Sequence, residues 1–256
     1  MINFIYNQKN TFLAISAMVI GVIFIDIHGL IVKYLGGEYS TIQLALFRNT
    51  FAIIPLILLL IYNKESSDLF KNLNKKFILF CFIRGSCFLA INILYYIAIN
   101  NMEFATASTL TFSSTFFIVI LSIFFLGDRV GIYRWSAVII GFVGVVMIMK
   151  PNSSIFSYYS ILPILVAFLW AVQVIVLKFI PDNFSTGKIQ FYSLFSSFLG
   201  SLIFIFFTTG HTYIESNTDF LILSLIGIFG GTAAILFIYS YRLIACLLYT
   251  SPSPRD

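Results

Sequence analysis

Four ionisable side chains lie inside long apolar runs: Asp26, His28, Arg48 and Arg84. Holding a charge in hydrocarbon costs several kcal/mol on most scales, so such groups point to binding, coupling or ion pairing. Arg84 is followed at four-residue steps by Phe88, Asn92 and Tyr96. A helix therefore presents a cation, an aromatic ring, an amide and a phenol on one face, which suits an anionic or amphipathic small molecule. A second reading has the guanidinium reaching back to the membrane interface while the other residues only pack; spacing does not choose between the two. Asp26 lies on the stripe Val22, Asp26, Gly29 and Lys33. It could carry a proton for coupling, or form a structural ion pair with Arg48 at comparable depth in the next run, and the pair is the preferred reading. His28 is two residues from Asp26, about 200° around a helix, so no more than one of them is expected at a cavity; His28 reads as a hydrogen-bonded packing residue. Trp170 and Gln173, three apart, share a face where a ring beside an amide would either hold an amphipathic substrate or pack between helices.

These residues have to be positioned inside a membrane. Hydrophobic residues make up 60% of the 256-residue chain, charged residues 10%, and mean hydropathy is +1.00. A soluble domain averages about 25% charged residues. The net charge of +5 sits between apolar runs rather than in one stripe, so it reads as a topology signal and no nucleic-acid partner is expected. Apolar runs at 11–32, 41–62, 77–99, 104–126, 131–149, 158–180, 187–209 and 220–244 are each near the roughly 20 residues that cross a bilayer. The expectation is an all-α, multi-pass helical bundle, preceded by a short polar tail over residues 1–10. Lys9, Lys64, Lys71, Lys75, Lys76, Arg129, Arg134, Lys178, Lys188 and Arg242 fall on one side, against Lys33 and Lys150 on the other. The positive-inside rule then puts the N-terminus in the cytoplasm of a cell with this protein in its inner membrane.

A repeat orders the runs. Lys33-Tyr-Leu-Gly-Gly-Glu-Tyr-Ser-Thr41 is similar to Lys178-Phe-Ile-Pro-Asp-Asn-Phe-Ser-Thr186, an offset of 145 residues, and the same ungapped offset sets Gly85 on Gly230 and Tyr96 on Tyr241. A unit of five spans, an odd number, places its second copy inverted, the plan of many secondary transporters. The units expected are 11–150 and an incomplete, three-helix 158–245. The closing segment 246–256, with Pro252 and Pro254, cannot continue a span and reads as non-native. Small residues at Ala105, Thr109 and Ser113, and at Gly141 and Val145, are expected to let helices approach. Asp128 and Arg129 are expected to cap the fourth span, and Asn152-Ser-Ser154 is a formal glycosylation sequon.

Several chemistries find no support. There is no phosphate-binding G-x-x-x-x-G-K-[ST], no H-E-x-x-H, and two histidines with Cys81, Cys87 and Cys246 make no metal set. No cofactor is expected. An intramembrane enzyme would need a paired nucleophile and base, or two carboxylates within reach, and only Asp26 lies deep in a span.

With these residues in view, the chain resembles the drug/metabolite transporter superfamily, in its EamA-type branch. The likeness lies in Arg48, Arg84-Gly85, Ala105-Thr-Ala107, the turn Gly127-Asp-Arg-Val130 (with Asp128 where the family has Glu), Gly141-Phe-Val-Gly-Val145, Lys150-Pro151 and Trp170, over about residues 11–245. The resemblance implies ten helices in two inverted five-helix repeats around a central cavity, of which this sequence carries about eight. It implies transport of a small metabolite or drug-like compound by alternating access, with proton coupling as an option, and no enzyme activity. Substrate contact is assigned to Arg84, Asn92, Tyr96, Trp170 and Gln173, and coupling or an ion pair to Asp26 and Arg48. The partners expected are a small-molecule substrate, the lipid bilayer and, as an option, a second copy in a homodimer. The alternative is an integral membrane protein that does not transport, either an intramembrane enzyme or an assembly factor.

Overall fold

The computed structural model describes the backbone of residues 2–250 apart from 72, 128–130, 150–157, 208–212 and 215; side chains are described over 10–243, with further gaps at 67 and within 133–149. Asp128, Arg129, Lys150, Pro151, the Asn152 sequon, the side chain of Cys246 and the end of the chain from Ser251 lie outside the described residues.

Ten α-helices and two short 3-10 turns make up the described chain, with no strand among the described residues. They are α1 (Ile2–Leu35), α2 (Thr41–Phe51), α3 (Ile53–Tyr62), α4 (Lys75–Asn101), α5 (Phe104–Thr111), α6 (Ser114–Leu126), α7 (Ile132–Met149), α8 (Ile161–Lys178), α9 (Thr186–Phe207) and α10 (Asn217–Thr250). Seven segments among the described residues are long and apolar enough to cross a membrane, with Asn10–Leu35, Lys75–Asn101 and Asn217–Leu243 the longest. Helix α7, at 18 residues, occupies the remaining expected run. The protein is a multi-pass helical membrane protein.

Two boundaries differ from the sequence reading. Helix α1 begins at Ile2, because the polar first ten residues contain neither proline nor glycine to stop it, so they extend the helix instead of forming a tail. Helix α10 likewise runs on to Thr250, just before Ser251-Pro252.

The second and fourth spans are each interrupted. Pro55 has no N–H and its ring crowds the carbonyl four residues back, and the break between α2 and α3 falls at Ala52. No proline or glycine explains the break between α5 and α6. There the Thr109 hydroxyl donates to Ala105 O, Thr111 to Ser108 O and Ser113 to Leu110 O, at 2.6–2.7 Å. Such back-bonding competes with the helical ladder, and a 3-10 turn follows, with Ser113 N donating to Leu110 O and Phe116 N to Ser113 O. Ala107 and Leu110 are fully buried, so α5 packs through this pair; of the expected stripe Ala105, Thr109 and Ser113, Ala105 is exposed, Thr109 half-buried and Ser113 buried. Gly141 also faces open space, with nothing within 4 Å of where a Cβ would stand.

Packing is most extensive between α1 and α10, then between α4 and α8, then between α4 and α9 and between α10 and α2. Glycines permit the closest approaches. A Cβ at Gly85 would lie 2.3 Å from Ser193 O, one at Gly230 would lie 3.0 Å from Arg48 Nε, and one at Gly227 would lie 2.4 Å from Phe51 Cβ. Ser196 Oγ donates to Phe82 O at 3.2 Å. Adding 145 to Gly85 and Phe82 gives Gly230 and Gly227, and subtracting 145 from Ser193 and Ser196 gives Arg48 and Phe51. Each contact thus recurs with its two helices exchanged.

Two apolar clusters close the bundle at opposite ends. One holds Val32, Leu35, Tyr39, Leu44 and Ile226; the other holds Leu177, Ile180, Phe184, Ile189 and Cys81. These are also pairs at the 145-residue offset, member by member. At the first end Lys33 donates to Ile99 O and Met102 O, and Tyr39 to Asp219 at 3.0 Å. At the second end Lys188 donates to Asp68 O and Lys71 O, and Arg242 to Phe184 O and Asp182 O.

Candidate functional site

Between the two clusters lies a partly enclosed chamber of about 200 Å³. Its walls come from the middle of α1 (Met18, Val22, Asp26), α4 (Asn92, Tyr95), the interrupted fourth span (Ser108, Thr111, Thr115), α8 (Val166, Trp170) and α10 (Phe237, Tyr241). A side pocket of about 20 Å³ adjoins it, sharing Phe88, Trp170, Phe237 and Tyr241 and adding Arg84 and Gln173.

The polar face expected of α4 is turned inward: Arg84, Phe88, Asn92 and Tyr96 are all buried. They do different things there. Arg84 lines the side pocket and donates to Ser193 Oγ at 3.2 Å, so its guanidinium is held inside the bundle and does not reach the interface. Asn92 lines the chamber, and its Nδ2 has no partner. Tyr96 is fully buried in the cluster around Val32 and Leu35, behind His28, to whose Nε2 its hydroxyl bonds at 2.8 Å. Its neighbour Tyr95 lines the chamber instead, paired with Ser108 Oγ at 2.8 Å.

Both Asp26 and His28 border the chamber, although 200° of helix separates them. The chamber curves around α1, meeting Asp26 on its half-buried side and His28 on its buried side. The expected Asp26–Arg48 ion pair is not formed. Arg48, with no exposed surface, donates to Gly230 O at 2.9 Å and to Asn49 Oδ1 at 3.1 Å, and its guanidinium lies 4.0 Å from the centroid of the Phe88 ring. Phe88 therefore has Arg48 on one side while lining the chamber with the other. Two ion pairs among the described residues, Lys71–Asp68 and Arg242–Asp182, lie at one end of the bundle.

Trp170 and Gln173 share a face, as the spacing requires, and both line the side pocket. Trp170 Nε1 donates to Tyr241 Oη at 3.3 Å, and its ring meets Phe237 edge-on with centroids 5.2 Å apart. Tyr95, Ser108, Thr111 and Tyr241 escaped the sequence reading. Tyr241 could have been found, since it sits at the 145-residue offset from Tyr96, just as Gln173 does from His28; nothing in composition or spacing marks the hydroxyls of the fourth span.

Chemically the site is a partly enclosed aromatic and apolar chamber with hydrogen-bonding groups at fixed points. Two buried guanidiniums are solvated by carbonyl, amide and hydroxyl dipoles, and the one carboxylate bordering the chamber among the described residues is Asp26. No group of three or more His, Cys, Asp or Glu converges to hold a metal among the described residues.

Residues 12–150 match the model of the EamA-like transporter family. Three curated proteins named riboflavin transporter are similar over shorter stretches. That of Rhizobium johnstonii is 40% identical over 63 residues, 25% of this chain and 21% of that protein. Those of Vibrio cholerae and Brucella anthropi are each 33% identical, over 30% and 31% of this chain and 26% and 28% of theirs. The matched stretches thus span about a quarter of the relatives' length. A solved crystal structure aligns over 93% of this chain and 91% of its own, with a TM-score of 0.57 and 17% identity, a likeness of fold.

Proposed function

Because this chain belongs to the EamA-like transporter family, we propose that it carries a small, partly planar metabolite across the inner membrane by alternating access, with a flavin as the first substrate to test. The observation that carries this reading is the chamber held between two apolar clusters that exchange under the 145-residue offset. Two inverted units, 11–150 and 158–245, give each cluster the same construction at opposite ends, so each can open by the motion that closes the other. The recurrence of the Gly85–Ser193 contact as Gly230–Arg48 supports the same pairing of units.

The chamber's chemistry agrees with a planar substrate. Trp170, Phe88 and Phe237 offer ring faces and edges, while Asn92, Tyr95 and Ser108 offer hydrogen bonds. A closed cavity of about 150 Å³ takes benzene, so about 200 Å³ accommodates one or two fused rings, with the rest of a larger molecule toward the opening. The names of the curated relatives select riboflavin from this class. Asp26 is the group placed to carry a coupling proton. The end bearing Lys71, Lys188 and Arg242 is cytoplasmic by the positive-inside rule, which places the N-terminus there too.

The test is flux. Protein reconstituted in liposomes should take up radiolabelled riboflavin saturably, with competition by unlabelled flavin. Uptake no faster than in protein-free liposomes, from protein shown to be folded, would overturn the reading.

A further inference from the structure

The side pocket beside the chamber has a composition that packing does not explain. It holds about 20 Å³, and its walls are Phe88, Val174, Leu177, Ala234 and Phe237 apart from four polar residues, Arg84, Trp170, Gln173 and Tyr241. Of these, Arg84 and Gln173 are more than nine-tenths buried, and Arg84 Nε and Gln173 Nε2 have no hydrogen-bond partner. The Trp170 N–H is spent on Tyr241 Oη. Two residues that line the recess thus carry an unpaired N–H donor, and the recess shares Phe88, Trp170 and Phe237 with the chamber. Buried donors without acceptors are costly and rare. One reason to retain them beside a cavity is a ligand that supplies the acceptor, and a site built that way rejects analogues that lack it.

Size identifies the acceptor. A water-sized group needs roughly 10–15 Å³ of such space, so the recess admits a single oxygen and not a phosphate group. Its mouth is shared with Phe88, Trp170 and Phe237, which places the rest of the ligand among ring faces. We propose that the side pocket seats one ring-carbonyl oxygen of a planar heterocycle, with Arg84 and Gln173 donating to it while the ring lies in the chamber against Trp170 and Phe88. This rests on the transport reading above and adds to it a specificity rule: ring systems bearing an exocyclic carbonyl bind, and isosteric rings without one are refused.

Calorimetric titration of the full chain in nanodiscs separates the two readings. The probes are riboflavin, lumiflavin (the same ring without the sugar chain) and phenazine, a tricycle with no carbonyl. The unaltered protein should bind lumiflavin about 10- to 100-fold more tightly than phenazine, the effect of a charge-assisted hydrogen bond. Gln173→Leu and Arg84→Lys should each weaken lumiflavin and riboflavin by about 10-fold or more and leave phenazine unchanged, with the melting temperature of the Gln173→Leu protein preserved. If Arg84→Lys fails to fold, Gln173→Leu decides alone. Equal binding of lumiflavin and phenazine by the unaltered protein, or a preference undiminished by Gln173→Leu, overturns the carbonyl subsite while flavin transport stands. Folded protein that binds neither flavin overturns the flavin reading itself, and the subsite with it.

Discussion

Arg48 has no acidic partner among the described residues and no exposed surface; two hydrogen bonds and the Phe88 ring offset its charge, with Nε left unpaired. Its role is therefore separable from that of a substrate residue. Truncation should leave a hole and an uncompensated Asn49 amide, so Arg48→Ala should cost about 3 kcal/mol, read as the denaturation midpoint in detergent. Arg48→Met, which fills the space and needs no compensation, should cost less than half of that. Equal losses would show that the guanidinium's hydrogen bonds, not its volume, hold α2 to α10. Asp26 makes the opposite case: it borders the chamber and has no ion-pair partner among the described residues, so Asp26→Asn should remove pH-gradient-driven accumulation while substrate exchange down its own gradient persists. Accumulation at the unaltered level in Asp26→Asn would exclude it as the coupling group. The sequence made both residues conspicuous through depth in an apolar run. It could not tell them apart, because depth is shared by a residue facing a cavity and one facing a neighbouring helix. The same limit explains Tyr96, whose four-residue spacing from Asn92 fixed its face of α4 while that face, at its height, turns to His28 and the apolar cluster, and Tyr95 beside it meets the chamber.

At the scale of helices, close approach depends on a few glycines whose neighbours are backbone. A Cβ at Gly85 would strike Ser193 O, which cannot swing aside as a side chain can, whereas one at Gly141 meets nothing within 4 Å. Gly85→Ala should therefore force α4 away from α9 and destabilise by about 1–3 kcal/mol, while Gly141→Ala should be neutral or slightly stabilising through better helix propensity. Thermal melting of the two variants beside the parent measures both; a neutral Gly85→Ala would mean that the α4–α9 contact is loose. The spans themselves were readable to within a few residues, since long apolar runs flanked by polar turns leave little choice of helix ends. The interruptions at Ala52 and at Phe112–Ser113 were less accessible. Pro55 was a signal for the first, but a hydropathy reading passes over it. The second arises from three hydroxyls bonding back to their own helix, a choice that Thr109, Thr111 and Ser113 make only in the folded environment.

For the whole molecule, the repeat was visible in sequence as three short matches, and its consequence in space is two end clusters built from equivalent residues. In this structure both clusters are packed at once. If the proposed alternating access holds, each cluster has to separate in turn, and linking either shut should stop transport for a different geometric reason. At the end bearing Lys188, the rings of Phe77 and Phe184 stack with centroids 4.1 Å apart. At the other, Tyr39 reaches Asp219 at 3.0 Å. With Cys81, Cys87 and Cys246 replaced by serine, the pairs Phe77→Cys with Phe184→Cys, and Tyr39→Cys with Asp219→Cys, can each be joined by a short dithiol reagent. Either link should abolish flux, and reduction of a cleavable linker should restore it. The two locked forms should differ in one respect. In separate proteins carrying an added Met18→Cys in the chamber, blocked until linking is complete, the Phe77–Phe184 lock should leave that thiol reachable only from the Tyr39 side, and the Tyr39–Asp219 lock only from the Lys188 side. Labelling of Ser66→Cys from intact cells fixes which side is the cytoplasm. Flux that survives either link would mean that the cluster is a static plug and that substrate enters between the helices, which would replace two end gates with a lateral path from the bilayer.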